Sequence, residues 1–154
     1  MINGVHHTSF ATKDLDRLAG FYRDTLKLEQ IGTFGWDEND SNIHTIVGVP
    51  GSRTKGVFLR AGGSFIEIFE YTAPRGRDGD PARPANDVGI THVCFDVTNI
   101  ESEYRRLVDA GIRFNSVPVT VGTFVKSVYG RDPDGNLFEL QEIIDKTSAF
   151  VFYR

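Results

Sequence analysis

An internal repeat constrains the fold of this 154-residue chain more than any other feature of its sequence. Residues 4–12 align with residues 89–97 at an offset of 85, and residues 63–70 align with residues 135–142 at an offset of 72. The matched pairs are Gly4/Gly89, His7/His92, Phe10/Phe95, Gly63/Gly135, Glu67/Glu139 and Glu70/Glu142. Self-similarity of this kind indicates two copies of one supersecondary unit. We therefore predict module one at 3–72 and module two at 88–143, in a single domain that spans 1–154.

Each copy has the same predicted order of elements, β-α-β-β-β. Alternating runs at 4–12 and 89–97 predict the first strands, and apolar residues at helical spacing follow Asp14 and Asn99, which are good N-caps. Further β-like runs lie at 44–49, 56–60 and 64–71 in the first copy, and at 112–119, 123–129 and 136–143 in the second. The predicted fold class is α+β, with two βαβββ modules and a helix over one face of each sheet.

The segments outside the modules differ from them in composition. Residues 73–87 are rich in Pro, Gly and charged side chains, which is typical of a linker. Residues 144–154 form a C-terminal tail that is apolar at 149–153, and docking on a second copy of the chain is one way to bury it.

Charge and cysteine content narrow the classes of function. Seventeen Lys and Arg residues against 21 Asp and Glu residues give a net charge of −4, so neither nucleic acid nor a membrane surface is an expected partner. The single cysteine, Cys94, cannot form an internal disulfide, and no signal peptide is recognisable. We expect a cytoplasmic protein.

Two histidines and two glutamates are the strongest candidates for chemistry. Strand alternation places His7 and His92 opposite the apolar faces of their strands, and it does the same for Glu67 and Glu139. Two carboxylates brought together without a cation repel each other, and a divalent metal removes that cost. Two nitrogen and two oxygen ligands suit Zn, Ni, Co, Mn or Fe(II) without distinguishing among them.

Several other residues carry weaker signals. His44 lies in a β-like run and is a minor candidate for the same site, whereas Cys94 reads as a small core residue. Lys126, Tyr129 and Arg131 precede the last strand. They are candidates to contact an anionic substrate, and exposure to solvent explains them equally well. Aromatic residues that are candidates to line a pocket are Phe34, Trp36, Phe65, Phe69 and Phe124.

Two motifs resemble the vicinal oxygen chelate superfamily, which includes glyoxalase I, methylmalonyl-CoA epimerase, fosfomycin and bleomycin resistance proteins and extradiol dioxygenases. The first runs from Val5-His6-His7 through Thr12-Lys13-Asp14-Leu15 to Phe21-Tyr22, and the second is the segment 132–140, Asp-Pro-Asp-Gly-Asn-Leu-Phe-Glu-Leu. The resemblance covers residues 3–143. It implies paired modules whose sheets curl around a metal cleft, one divalent ion held by His7, Glu67, His92 and Glu139, and a homodimer.

The ligand set is similar to that of glyoxalase I, so the resemblance implies a metal-dependent lyase or isomerase. Such an enzyme transfers a proton next to a carbonyl of a small substrate chelated through two oxygens, with Glu67 or Glu139 as the base. The epimerase of this superfamily has Gln in place of Glu67 and a separate catalytic Glu about sixteen residues earlier, and residues 49–53 contain no carboxylate. An extradiol-type dioxygenase and a drug- or metabolite-binding resistance protein are the alternatives.

Overall fold

The chain folds into two units, each built on a four-stranded mixed sheet. The structure, a computed structural model, describes residues 1–151. The boundary between the units lies between Gly79 and Asp80, within the segment predicted as a linker. The two mixed sheets with few helices confirm the predicted α+β class.

The first unit follows the predicted order with one added helix. Its elements are β1 (His7–Thr12), α1 (Leu15–Gly20) continued by a π-helical turn (Phe21–Thr25), β2 (Glu29–Trp36), α2 (Ser41–Val47), β3 (Arg53–Ala61) and β4 (Ser64–Ala73). The strand order is β1-β4-β3-β2. Strands β1 and β4 are parallel, whereas the other neighbours are antiparallel.

The second unit repeats this arrangement without the added helix. Its elements are β5 (His92–Asp96), α3 (Ile100–Asp109), β6 (Val119–Val121), β7 (Val125–Arg131) and β8 (Leu137–Ile143). The strand order is β5-β8-β7-β6, with β5 parallel to β8. None of the helices within residues 1–151 is long and apolar enough to cross a membrane.

Two sequence-based assignments of secondary structure are wrong, and one strand was missed. The run 44–49, predicted as a strand, lies mostly in α2, because Asp40 caps that helix at Ile43 N and Gly48 ends it with a φ of +68°. Strand β2 was not predicted, since it is largely exposed and contains two glycines. Residues 112–118 precede β6 and contribute only an isolated bridge between Phe114 and Gly130.

The helices cover one face of each sheet, as predicted, and the residues between sheet and helix form the core. In the first unit, Phe10 stacks on Tyr22 with ring centroids 5.4 Å apart. The buried side chains of these two layers are Leu15, Leu18, Tyr22, Val57, Leu59, Ile66 and Ile68 in the first unit and Ile100, Leu107, Val128, Phe138 and Leu140 in the second. Alternation along β4 and β8 places Glu67 and Glu139 on the opposite face of each sheet, away from α1 and α3.

The apolar tail predicted at 149–153 is described only in part. Phe150 stacks on Phe124 of the same chain with ring centroids 6.2 Å apart, and it remains largely exposed. Phe152 and Tyr153 lie outside the described residues.

A repeated carboxylate ties the last strand of each copy to the start of its helix. Glu70 accepts a hydrogen bond from Leu15 N, and Glu142 accepts from Asn99 N and Ile100 N, at 2.9–3.0 Å. The Ile100 N–H above all, and the Asn99 N–H with it, hold the pKa of Glu142 below its ordinary value despite partial burial. Burial alone would raise the pKa of Glu70, but the Leu15 N–H and the Lys55 ammonium group lower it overall. The Glu70/Glu142 match in the repeat is therefore structural.

We expect Glu142→Gln to lower the free energy of unfolding by about 1 kcal/mol at pH 7, because the amide keeps an acceptor but loses the charge. The folded-state pKa of Glu142 is depressed, so its contribution is present above the unfolded pKa and is lost as pH falls through the folded pKa. The difference between wild type and variant should therefore shrink from about pH 5 to pH 3 in urea unfolding. Glu29→Gln, at an exposed ion pair with Arg60, is the control with little effect. If Glu142→Gln lowered the free energy of unfolding equally at pH 7 and pH 3, the charge of Glu142 would not be the source of its contribution.

The turn before β8 depends on a glycine in the left-handed region. Asp132 accepts hydrogen bonds from the backbone N–H groups of Asp134 and Asn136, and Gly135 has a φ of +86°. A Cβ at Gly135 would lie 2.3 Å from Pro81 Cα, which is a collision with backbone. Gly111, at the end of α3, has the same φ of +86° with nothing within 4 Å of a Cβ.

These two glycines separate conformational strain from collision. Gly111→Ala should lower the free energy of unfolding by about 1 kcal/mol, which is the cost of a left-handed non-glycine residue. Gly135→Ala should cost about 3 kcal/mol or more, because the backbone of Pro81 must also move. Chemical denaturation of both variants measures the difference, and equal losses would show that the approach of Pro81 does not matter.

Candidate functional site

The first unit places one predicted histidine beside one predicted glutamate on the sheet face opposite α1. His7 lies on β1 and Glu67 on the adjacent strand β4, and His7 Nε2 is 3.5 Å from Glu67 Oε2. Ser9, two residues after His7, donates a hydrogen bond of 2.5 Å to the same Oε2 atom. Glu67 is only 8% exposed, so these two polar groups compensate the burial of its carboxylate.

The second unit contains the equivalent pair in a tighter arrangement. His92 Nε2 is 2.9 Å from Glu139 Oε2, and Ser127 on β7 donates a hydrogen bond to Glu139 Oε1. Both oxygens of Glu139 are thus contacted, whereas the contacts of Glu67 described above converge on one oxygen. The two carboxylates therefore differ in how firmly they are held.

The residue before each histidine contacts Nδ1 of the histidine ring. His6 Nδ1 lies 2.9 Å from His7 Nδ1, and Thr91 Oγ1 lies 2.8 Å from His92 Nδ1. Contacts of this kind fix the orientation of a histidine ring and leave the other nitrogen free for its functional partner. In both units that other nitrogen, Nε2, faces the glutamate.

Each unit brings together two of the four predicted metal ligands. Among residues 1–151, no group of three or more His, Cys, Asp or Glu side chains is placed to hold a metal ion. A protein site for zinc or a similar ion has three or four protein ligands, so one pair alone does not complete it. The chemistry of the donors, an imidazole nitrogen beside a carboxylate, nevertheless fits a divalent transition metal.

Cys94 and Tyr129 share this face of the second sheet, where both are cross-strand neighbours of Glu139. Cys94 keeps part of its surface exposed, so its prediction as a core residue is wrong. Partial burial of the thiol, followed by the charge of Glu139, raises the pKa of Cys94 to about 12. Burial and the same charge raise the pKa of Tyr129, whose hydroxyl lies 3.4 Å from His92 Nε2. Both groups are therefore protonated at neutral pH.

Other sequence candidates are engaged elsewhere. Lys126 forms an ion pair with Glu101 of α3, and the Arg131 guanidinium donates to the carbonyl oxygens of Pro81, Arg83 and Gly135. The ring of His44 is held by the connection between β2 and β3: Nε2 lies 2.9 Å from Ser52 O, and Nδ1 accepts from Gly51 N. These three side chains stabilise their own units.

The aromatic candidates lie in three separate places. Phe69 contacts both Phe34 and Trp36 on the face that carries Glu67. Phe65 lies against His6 and under the Arg60 guanidinium, and Phe124 contacts Phe150. Sequence reasoning missed Phe58, whose ring meets the His7 ring.

The serines that brace the two glutamates were also missed. Ser9 shares the alternation of His7, which is a signal that the sequence does contain. Ser127 can be assigned only from the register of β7 against β8, which pairs it with Gln141 beside Glu139.

Comparison with known proteins places these features in a family. A family model described as Glyoxalase/Bleomycin resistance protein/Dioxygenase superfamily matches residues 4–140. The chain is 30% identical over 148 residues to an ethylmalonyl-CoA/methylmalonyl-CoA epimerase of Cereibacter sphaeroides, covering 93% of this chain and 100% of that protein. It is 26% identical over 140 residues to a lactoylglutathione lyase of Schizosaccharomyces pombe, covering 88% of this chain. The chain spans about half the length (46%) of the S. pombe protein.

Solved structures share the fold. A glyoxalase family protein from Bacillus cereus superposes with a TM-score of 0.81 at 20% identity, covering 93% of this chain and 95% of that one. The fosfomycin resistance protein FosX from Listeria monocytogenes, complexed with Mn(II) and sulfate, has a TM-score of 0.61 at 22% identity and covers 92% and 94%. These likenesses establish the glyoxalase-like fold of the chain.

Proposed function

Because the chain belongs to the Glyoxalase/Bleomycin resistance protein/Dioxygenase superfamily, we propose that it is a metal-dependent lyase or isomerase acting on a small molecule. The reaction is transfer of a proton next to a carbonyl, on a substrate that presents two adjacent oxygens. The observation that carries this proposal is the repeated His–Glu pair on the same face of its sheet in each unit, opposite α1 or α3. The similarity to a lyase and to an epimerase supports the same reaction class.

The pairs His7 with Glu67 and His92 with Glu139 supply the metal ligands in this proposal. The Mn(II) reported in FosX supports a divalent ion, and the donor set admits Zn, Ni, Co, Mn or Fe(II). A bound ion of this kind supplies Lewis acidity, which polarises a carbonyl oxygen. The protein supplies the orientation of the imidazoles through His6 and Thr91, and that of the carboxylates through Ser9 and Ser127.

A carboxylate of either pair is the proposed base. Glu67 and Glu139 lie on the same sheet face as the histidines, so either can accept a proton from a substrate held there. His92 and Ser127 contact different oxygens of Glu139, whereas His7 and Ser9 both contact Oε2 of Glu67. The two glutamates can therefore differ in role. Glu67→Gln and Glu139→Gln separate a base from a ligand, because loss of the base alone lowers kcat at full metal occupancy.

A homodimer and a cytoplasmic location belong to the same proposal. Strand β6 is an edge of its sheet with exposed Val119 and Val121, and Phe124 follows it. Exposed apolar edges of this kind favour burial against a second chain.

We expect purified protein to contain about one divalent metal ion per chain, as measured by mass spectrometry of the dialysed, metal-reconstituted sample. His92→Ala and Glu139→Ala should lose most of this metal, and Ser127→Ala should weaken its affinity about tenfold by releasing one ligand oxygen. Glu29→Gln and His44→Gln are the matched controls, because those residues bond outside the two pairs. Full metal occupancy in folded His92→Ala and Glu139→Ala proteins would overturn the ligand assignment.

Catalysis should proceed without oxygen and should exchange a proton with solvent. Profiling against hemithioacetals, acyl-CoA thioesters, catechols and fosfomycin identifies a substrate, whose α-position should then take up deuterium from D₂O under anaerobic conditions. Activity should survive replacement of the native metal by Zn or Mg. Stoichiometric oxygen uptake with a strict requirement for Fe(II) would replace this proposal with the extradiol dioxygenase. Ligand binding that is unchanged after chelator treatment, without turnover, would replace it with the resistance-protein alternative.

A further inference from the structure

Five aromatic side chains extend in one continuous series from the metal-ligand pair of the first unit. Phe58 contacts the His7 ring at 6.0 Å between centroids, and each later ring lies 5.0–5.9 Å from the one before it. We call this series the aromatic run; in order, its members are Phe58, Phe34, Phe69, Trp36 and Tyr71. All five are half-buried, so their rings present surface on the face that carries Glu67.

The positions of two of these rings are fixed by their surroundings. Phe34 lies across β3 at Gly56, where a Cβ would be 2.2 Å from the Phe34 ring. Trp36 donates its indole N–H to Ser52 Oγ at 2.9 Å, and Ser52 is fully buried. The aromatic run is therefore built into the sheet, and a rigid apolar surface of this kind binds a flat ligand with little loss of side-chain entropy.

An unpaired hydroxyl lies at the far end of the aromatic run. Thr54 is directly opposite Trp36 on one side and Tyr71 on the other, and it is only 8% exposed. Its Oγ1 atom is buried without a hydrogen-bond partner. Burying an unpaired hydroxyl is costly, so a rotation of the Thr54 side chain that brings Oγ1 to a ligand group recovers that cost.

The sheet register sets the length of the site. Glu67 is opposite Phe58 on β3, and Thr54 lies four residues before Phe58 on the same strand. At the rise of an extended strand, these two positions are about 13 Å apart.

Charge complementarity disfavours a polyanionic ligand on this face. Of the three cationic residues of β3, Lys55 contacts Glu70 on the opposite face, whereas Arg53 lies near Glu38 and Arg60 contacts Glu29, so each is already paired. The exposed surface of the aromatic run instead consists of rings, which attract other aromatic groups.

We propose that the substrate is an elongated, uncharged aromatic compound, with two adjacent oxygens at one end and a hydrogen-bonding group at the other, about 10–13 Å away. The oxygens face His7 and Glu67, the rings lie over the aromatic run, and the distal group meets Thr54 Oγ1. The two adjacent oxygens rest on the proposed function, whereas the rings and the distal group are inferred from the aromatic run and Thr54.

Three probes that share a chelating hydroxy-ketone head test this proposal. Maltol carries the head alone, 3-hydroxy-4′-phenylflavone adds the rings, and 3-hydroxy-4′-(4-hydroxyphenyl)flavone adds a distal hydroxyl about 10–13 Å from the head. Trp36 is the sole tryptophan of the chain, so its fluorescence reports binding at the aromatic run. In the metal-loaded protein, 3-hydroxy-4′-phenylflavone should bind about 30-fold more tightly than maltol, and the distal hydroxyl should add about fivefold.

Variants assign the effect to named residues. Phe34→Leu and Phe69→Leu should each weaken flavone binding about tenfold and leave maltol binding unchanged. Thr54→Val should remove the fivefold gain from the distal hydroxyl and raise the midpoint of unfolding of the free protein, because an unpaired hydroxyl disappears. Phe124→Leu, which removes a ring in the second unit outside the aromatic run, is the control with no effect on flavone binding.

Equal affinity of maltol and both flavones in the metal-loaded protein would overturn this inference. The proposed function would still stand in that case, because the same protein sample would contain its metal ion. A change in oligomeric mass of Phe34→Leu and Phe69→Leu without any ligand response would also overturn it, since the aromatic run would then be a protein interface. Absence of bound metal, with the flavones still preferred through Phe34 and Phe69, would support the aromatic specificity and refute the metal-dependent function.

Discussion

Parallel pairing of the first and last strand of each copy is the constraint on which the rest of the structure depends. It places His7 beside Glu67 and His92 beside Glu139. A parallel pair requires a crossover connection, and a helix within that connection covers one face of the sheet. Both His–Glu pairs belong to the other face.

The last strand of each copy also holds its own helix in place. Glu67 and Glu70 are three positions apart on β4, so their side chains point to opposite faces. Glu67 faces His7, whereas Glu70 accepts the N–H of Leu15 at the start of α1. Glu139 and Glu142 divide the same two tasks on β8. One strand thus carries a carboxylate for the candidate site and a carboxylate for the fold.

The repeat made the architecture and the His–Glu pairs predictable, because matched polar residues inside apolar strands are a strong signal. No sequence signal of that strength marks strand β2 or helix α2. Strand β2 is mostly exposed, and the run 44–49 has the composition of a strand although Asp40 begins a helix there and Gly48 ends it. The repeat also could not separate the two kinds of glutamate, since Glu70 and Glu142 recur as faithfully as Glu67 and Glu139. Only their hydrogen-bond partners distinguish them. Ser127 and Thr54 depend on strand register, which alternation along one strand does not contain.

The two copies share the His–Glu pair but differ in the side chains around it. Around Glu67 the sheet face is aromatic, with Phe58 opposite the glutamate, whereas around Glu139 the equivalent position is Tyr129 and the neighbours include Ser127 and Cys94. Each carboxylate nevertheless has a serine and a histidine within contact distance in its own unit, so its burial is already compensated by protein groups. A structural zinc site behaves differently, since its domain unfolds without the ion. The protein contacts of each carboxylate here agree with the proposal that an ion bound by these pairs acts in catalysis and is not required for folding.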